Sequence, residues 1–449
     1  MISFFHRTSY GRFTLLLTGI SLAYAFWLIA CWPGVLGQDS LAILYEVDTG
    51  REFQANKPPL WYWYVLISYG PTRLVEIPII LQMIICAVVA ARILEWLWHH
   101  GMYKSFWYCL IFVVLAPSVV YYASSLYSDG VYAITTSGML FEIWRSYRER
   151  RLGRVGGWML FLTIPFALFS RPNGFISLFA LLILAVYLRN KERWKLIAIL
   201  FPWCVLAIIA QVQVKYRAPI GTIFPLALYE TVGFLEERPM DLWEHGEPRV
   251  TPETIKALTS GGKKIDHIRN YYDHYYWDPL VFFPKGPSLL GLTRQAKDTI
   301  IKEFFFYNLW HNFPAFMASR VNIFLYAAFA DGGFPGPTNA ENILPLTQSK
   351  SELKFRDGAT HRILTKWFDF SFKYRVIFWT PWVGIFLIFA GAFRSWRKKD
   401  GSGGLICATF LLHLFAVALF SIAGEYRYLL AFFVAPMVLL PALYSTDPA

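Results

Sequence analysis

Asp39 stands in Gly37-Gln38-Asp39-Ser40, seven residues beyond Trp32, where the first long apolar stretch of the chain ends. A carboxylate there could take the proton of a hydroxyl group as that oxygen attacks a carbon, which is general-base work. The same residue also fits a plainer role, the N-cap of a helix beginning at Ser40. Lys57, in Lys57-Pro58-Pro59-Leu60, is a cation that could pair with Asp39 or with a phosphate, or could anchor a helix at a membrane boundary. Asp129, in Ser125-Leu126-Tyr127-Ser128-Asp129-Gly130, is a second carboxylate, suited to positioning an acceptor or a divalent cation and equally to starting a helix. Arg171 and Arg427 stand in Ser170-Arg171-Pro172-Asn173-Gly174 and Glu425-Tyr426-Arg427-Tyr428. Planar guanidinium forks match phosphate oxygens. An arginine flanked by so much apolar sequence is costly unless it faces a polar cavity or a partner, and for Arg427 that partner could be Glu425. Arg217 and Arg320 are weaker phosphate-binding candidates of the same kind.

The elements that must position these residues are membrane helices. Of 449 residues, 56% are hydrophobic, 18% aromatic and only 16% charged, against roughly 45–50% apolar and 25% charged in soluble domains. That balance excludes a disordered chain, a coiled coil and an ordinary soluble globule. It leaves an all-α, multi-pass integral membrane protein with room for about ten spans and one sizeable extramembrane part. The net charge of +12 would point to nucleic acid in a soluble protein. In a membrane chain, basic residues retained in cytoplasmic loops give the same excess, and no nucleic-acid partner is expected. The five cysteines sit in apolar stretches without paired spacing, which gives neither a disulfide framework nor a metal knuckle. His267, His274 and His311 match no zinc spacing. No Gly-rich phosphate loop lies beside a strand.

Apolar runs of near-spanning length occur at Phe13–Trp32, Ile77–Trp98, Phe106–Tyr122, Leu126–Trp144, Trp158–Phe169, Phe175–Leu188, Leu196–Val214, Val376–Phe393, Leu405–Ala423 and Leu429–Tyr444. The first lacks a small-residue cleavage site and runs into Trp32-Pro33, so it reads as a retained span. Basic clusters around Arg7, Arg145–Arg154, Arg189–Lys195 and Arg394–Lys399 all fall on one side if the runs alternate and both termini are cytoplasmic. The same path puts residues 39, 57, 129, 171 and 427 together on the outer side. Leu60–Tyr69 reads as an interfacial helix and Phe313–Ala330, with Arg320 at its centre, as a juxtamembrane one. The chain thus divides into a transmembrane core over residues 1–214, an extracytoplasmic region over 215–375 and C-terminal spans over 376–449. The Gly- and Pro-rich runs of the middle region predict loops more than regular elements, and Tyr271–Trp277 could stack on a ligand or form a small core.

Together these features resemble the membrane glycosyltransferases of the GT-C class, in particular the aminoarabinose-transferase and protein-mannosyltransferase-like members. The resemblance rests on Asp39 in the first outer loop, Lys57-Pro58-Pro59-Leu60, the Tyr127-Ser128-Asp129 context in the second outer loop, and Arg171-Pro172-Asn173-Gly174. It covers residues 1–215, and the rest matches in layout only. It implies a GT-C fold with its cavity facing outward and a polyprenyl-phosphate-linked sugar as donor. The acceptor would be a hydroxyl on a cell-envelope glycan, such as lipopolysaccharide, or on a lipid or protein. Asp39 would be the catalytic base, Lys57, Arg171, Arg427 and Arg320 would meet the donor phosphate, and transfer would invert the anomeric centre. A bacterial inner membrane with the site facing the periplasm is the implied setting. Many members pair two acids in the first loop where this chain has Asp39-Ser40, so a divalent cation stays open. Two other readings remain. One is an O-antigen ligase or polymerase, with its key basic residues in the large loops. The other is a lipid-linked sugar flippase or transporter, expected to show midplane ionisable residues and internal symmetry.

Overall fold

A computed structural model describes residues 8–50, 57–212, 223–235, 249–332, 338–356 and 358–444. Among them no strand is formed, and two isolated bridges, Val35 with Ser125 and Tyr276 with Ala423, are the only β pairing. The N-terminal helices are α1 (Ser9–Ala30), α2 (Gln38–Asp48), α3 (Pro59–Tyr69), α4 (Glu76–His99), α5 (Tyr103–Leu115), α6 (Pro117–Ala123), α7 (Ser128–Glu149), α8 (Arg154–Phe169), α9 (Ile176–Tyr187) and α10 (Asn190–Val212). Then come α11 (Ile223–Phe234), α12 (Pro252–Thr259), α13 (Arg294–Glu303) and α14 (Phe313–Ala328). The last are α15 (Ala359–Lys373), α16 (Trp382–Lys398), α17 (Gly401–Phe420), α18 (Leu430–Val434) and α19 (Pro436–Tyr444).

Each apolar run read from the sequence carries helix. Six helical stretches among the described residues are long and apolar enough to cross a membrane, or seven if α5 and α6, bent by 55°, form one span. This is an all-α integral membrane protein. The remaining runs fall short for separate reasons. Helices α8 and α9 have only 16 and 12 residues. Helix α7 has 22 but carries Thr135, Thr136, Ser137 and Glu142.

The chain forms two compact units. The first holds residues 1–215, 335–414 and 427–449, and α7 is its axis. Every residue of α7 from Asp129 to Trp144 is buried, packed among α4, α6, α8, α9, α18 and α19. A helix enclosed by protein needs no apolar face toward lipid, so polar side chains are tolerated along it. Gly138 is one reason the packing is close. A Cβ there would run into Val89 of α4, with Thr163 of α8 on its other side. Water drives no apolar association between helices inside a bilayer, so small residues that let backbones approach supply the contact. In the C-terminal halves of α4 and α7, Glu95 binds Arg12 at 3.2 Å and Arg92 at 3.4 Å, and Glu142 binds Arg92 at 2.9 Å. That chain of ion pairs ties α1, α4 and α7 at one end.

The second unit, residues 216–334 and 415–426, carries helices between the Gly- and Pro-rich runs, and the described residues of those runs, 261–264 and 331–332, lie outside helices as expected. Its prolines start helices: Pro252 and Pro314 occupy first turns, where a missing N–H costs nothing. Thr251 and Thr293 cap α12 and α13 by accepting from the Thr254 and Ala296 N–H groups. Leu228, Leu258, Ile268, Leu280, Ile300 and Phe304 make its core. The Tyr271–Trp277 stretch belongs to this packing: Tyr272 lies on Tyr229, and Tyr275 stacks on Tyr326 with ring centroids 3.8 Å apart.

Two expectations are corrected here. Residues 215–375 are not one region, because 335–375 pack with the first unit: Thr338 and Asn339 bond to the loop at Gly34–Leu36, and α15 packs on α1. Arg320 is not an open phosphate ligand. It is 2% exposed, ion-paired with Glu230 of α11, and donates to the Ser421 carbonyl. Losing one partner of a buried pair strands the other charge, which costs about 3–5 kcal/mol, whereas replacing both by apolar groups is close to neutral. Arg320→Met should therefore lower the unfolding temperature of the purified protein sharply, and Arg320→Met with Glu230→Met should recover most of the loss.

Candidate active site

The loop that delivers Asp39 is fixed on both flanks. The Val35 N–H donates to the Ser124 carbonyl at 3.0 Å, and the Leu126 N–H donates to the Val35 carbonyl at 3.1 Å. On the other flank the Leu36 carbonyl accepts from Asn339 at 2.9 Å, and the Leu36 N–H donates to Thr338 Oγ1 at 3.2 Å. Gly37 then opens α2. A side chain at 37 would collide with the Tyr127 hydroxyl, so glycine is what lets that ring lie against the helix start. Ser40 Oγ accepts from the Gly37 N–H and donates to the Leu126 carbonyl, both at 3.2 Å. Helix α2 therefore begins one residue before Asp39, at Gln38, and Ser40 closes its first turn. The expected N-cap role of Asp39 is not the one it plays.

Its carboxylate is held from two sides instead. Lys57 Nζ lies 2.8 Å from Oδ1, and Arg427 Nη1 lies 2.6 Å from Oδ2. Lys57 sits just before α3, and Arg427 lies in the turn that leads into α18. Arg427 takes Asp39 as a partner. Some 29% of the Asp39 side chain still reaches solvent. Burial pushes its pKa up, but the charges of Arg427 and Lys57 outweigh that and hold the carboxyl well below the usual carboxylate range.

Asp129 and Arg171 form a second ion pair. Asp129 lies in the first turn of α7 and is 3% exposed, and Arg171 occupies the extended residue after α8. The two pairs meet on one ring. Arg171 lies 5.1 Å and Arg427 5.5 Å from the centroid of Tyr428, and Arg427 is also 5.4 Å from that of Tyr127. Two guanidiniums can share one aromatic ring because each has a carboxylate partner. Asp39, Lys57, Asp129, Arg171 and Arg427 thus form one connected cluster within the first unit, with three cations facing two acids. Asp129 is matched by Arg171, and among the described residues no group of three or more His, Cys, Asp or Glu side chains is arranged to hold a metal ion. Arg320 belongs to the second unit, and Arg217 lies outside the described residues.

Sequence reading missed Tyr127 and Tyr428, although each stands next to or near a charged residue already singled out. It also missed His413 in α17. That side chain is 1% exposed, with Nδ1 at 3.2 Å from the Tyr132 hydroxyl and Nε2 at 2.8 Å from Ser177 Oγ. A lone histidine inside an apolar run was the available signal. No family profile, no curated protein and no solved structure matches this chain. Function is argued from the cluster itself.

The depressed Asp39 pKa fixes the sign of a pH effect. The ion pairs contribute fully above the unfolded carboxylate value of about 3.9 and are lost only as pH falls through the lower native value. The unfolding-temperature difference between the protein and Asp39→Asn, measured in detergent, should stay level from about pH 8 to about pH 5 and shrink below about pH 4. A decline already complete by about pH 5 would mean that Asp39 titrates near neutrality.

Proposed function

We propose that this protein is a membrane glycosyltransferase that moves a sugar from a polyprenyl-phosphate donor to an acceptor hydroxyl, with Asp39 as base. The observation that carries this reading is the Asp39 carboxylate clamped by Lys57 and Arg427 and joined through Tyr428 to Arg171. A proton acceptor and three phosphate-suited cations in one place are what such a transfer requires, and a lipid phosphate needs no nucleotide-binding fold.

At rest Asp39 is a weak base, because both its oxygens face cations. The donor's phosphodiester anion competes for Lys57 and Arg427, and as they turn to it Asp39 gains proton affinity. The acceptor hydroxyl oxygen then bonds to the anomeric carbon while its proton passes to Asp39. The bond between that carbon and the phosphate oxygen breaks, and its electron pair leaves with the phosphate, which becomes a dianion. Lys57, Arg427 and Arg171 stabilise the second charge as it develops. A single displacement inverts the centre. Asp39 gives its proton to water, and the cations close on it again.

In this reading α7, α8, α9 and the bent α5–α6 pair join the six apolar stretches to make about ten spans of a GT-C fold, and α3 lies in the interface. Both termini and the basic clusters are then cytoplasmic, and Asp39 faces the periplasm of a bacterial inner membrane. The acceptor is a cell-envelope glycan, a lipid or a protein. His413, an ionisable group well inside a membrane-length helix, is the observation that favours transport instead.

The test is glycolipid and glycoprotein mass spectrometry of a deletion strain, with purified protein assayed in detergent on polyprenyl-phosphate sugars, where transport has no meaning. Wild type should restore the missing glycan and turn over donor. Asp39→Asn should fold and insert but lose about 100-fold or more of the transfer rate, and Arg427→Gln should lose a comparable share. Full transfer by Asp39→Asn would sink the proposal. Loss confined to Arg217 variants would favour a ligase.

A further inference from the structure

Helix α7 carries Asp129 in its first turn and Arg148 in its last. Its 22 residues separate those ends by roughly 30 Å, about the hydrocarbon thickness of a bilayer. At the Arg148 end, the last turns of α7, α9 and α16 and the first turn of α17 enclose a cavity of about 700 Å³ within the first unit. Arg148, Arg150, Arg394, Lys398 and Lys399 line it, against two acids, Glu149 and Asp400.

Both acids are already engaged elsewhere. Glu149 accepts from Arg145 at 2.7 Å, and Arg145 does not line the cavity. Asp400 caps α17, accepting from the Ser402 and Gly403 N–H groups at 3.0 and 3.1 Å and from Ser402 Oγ at 2.7 Å. Five cations against two acids leave a positive excess in the lining, and Lys398 and Lys399 enter no ion pair among the described residues. Arg150 and Lys399 are themselves the left-handed residues that end α7 and α16, with φ of 49° and 53°. One wall is aromatic: Tyr147 and Tyr187 stack with centroids 3.8 Å apart, and Arg150 Nε donates to the Tyr187 hydroxyl at 3.0 Å. Ser395 also lines the cavity, and its buried Oγ has no hydrogen-bond partner. A buried hydroxyl is rarely left so.

We propose that this cavity is a binding site for a phosphate-bearing anion. The guanidiniums and ammoniums neutralise it, and Ser395 Oγ supplies a hydrogen bond. Helices α16 and α17 belong to membrane-length stretches, so their shared end lies at headgroup level, where an anionic phospholipid and free phosphate can both arrive. The site does not depend on the transferase reading and is a separate centre from Asp39.

The test uses the full-length protein and two probes. Native mass spectrometry follows retention of phosphatidylglycerol against phosphatidylcholine, and thermal unfolding follows the effect of inorganic phosphate. The variant is Lys398→Gln with Lys399→Gln, both exposed, and its unfolding temperature without ligand checks that it folds. The control is Arg189→Gln with Lys191→Gln, which removes equal charge from the chain just after α9. Retention of phosphatidylglycerol falling about tenfold or more in the variant and not the control supports the site with a lipid headgroup as source. Loss of phosphate-induced stabilisation alone supports it with free phosphate as source. An equal loss in variant and control, or no response to either probe, overturns it.

Discussion

Arg427 reaches back 388 residues to the carboxylate of Asp39, and that pairing fixes the arrangement of the site. A charge among apolar helices cannot be left without a partner, so each segment that carries one is placed where its partner is. Lys57 brings the start of α3 to Asp39, Arg171 brings the α8–α9 connection to Asp129, and Tyr428 lies under both arginines. Sites built from hydrogen-bonded loops alone can shift by side-chain rotation. Here five distant segments of the first unit are held by charge, and displacing one exposes the charge of its partner.

The same pairing sets a limit on chemistry. A carboxylate between two cations is ionised at any physiological pH but has little appetite for a proton. Weakening either cation makes Asp39 more basic and the cluster less firmly held, so stability and reactivity pull in opposite directions at one residue. An anionic ligand resolves the conflict, because it replaces Asp39 as the partner of Lys57 and Arg427 without leaving them unpaired. The paired state is therefore the expected form of the cluster while no anion is bound.

Helix positions were largely legible, since each apolar run became helix and Asp39, Lys57, Asp129, Arg171 and Arg427 do meet. What was not legible has physical causes. Hydropathy reports what a segment would prefer against lipid, and α7 touches protein on all sides, so its threonines and Glu142 say little about its place. Composition marked the Gly-rich turn at 261–264 as a loop, which it is, but gave no sign that Pro252 and Pro314 begin helices. Arg320 looked like a phosphate-binding cation because Glu230, its partner, lies 90 residues away inside an apolar run. Asp39 resembled an N-cap because the cap and the base share a residue type. Only the position of Ser40, three residues after Gly37, distinguishes them.

Helix α7 joins these observations. Its burial permits hydroxyls along its length, and one of them, Tyr132, meets His413 of α17. Its two ends come out in different charged settings, one near Asp39, Lys57 and Arg427 and the other at the cavity lined by Lys398 and Lys399. In both settings cations outnumber acids, and the acids are taken up by named partners. A positive surplus at each end of a buried helix is not what anchoring requires, since one basic boundary suffices to orient a span. It is what a protein needs if anionic groups are to be met at both ends of that helix.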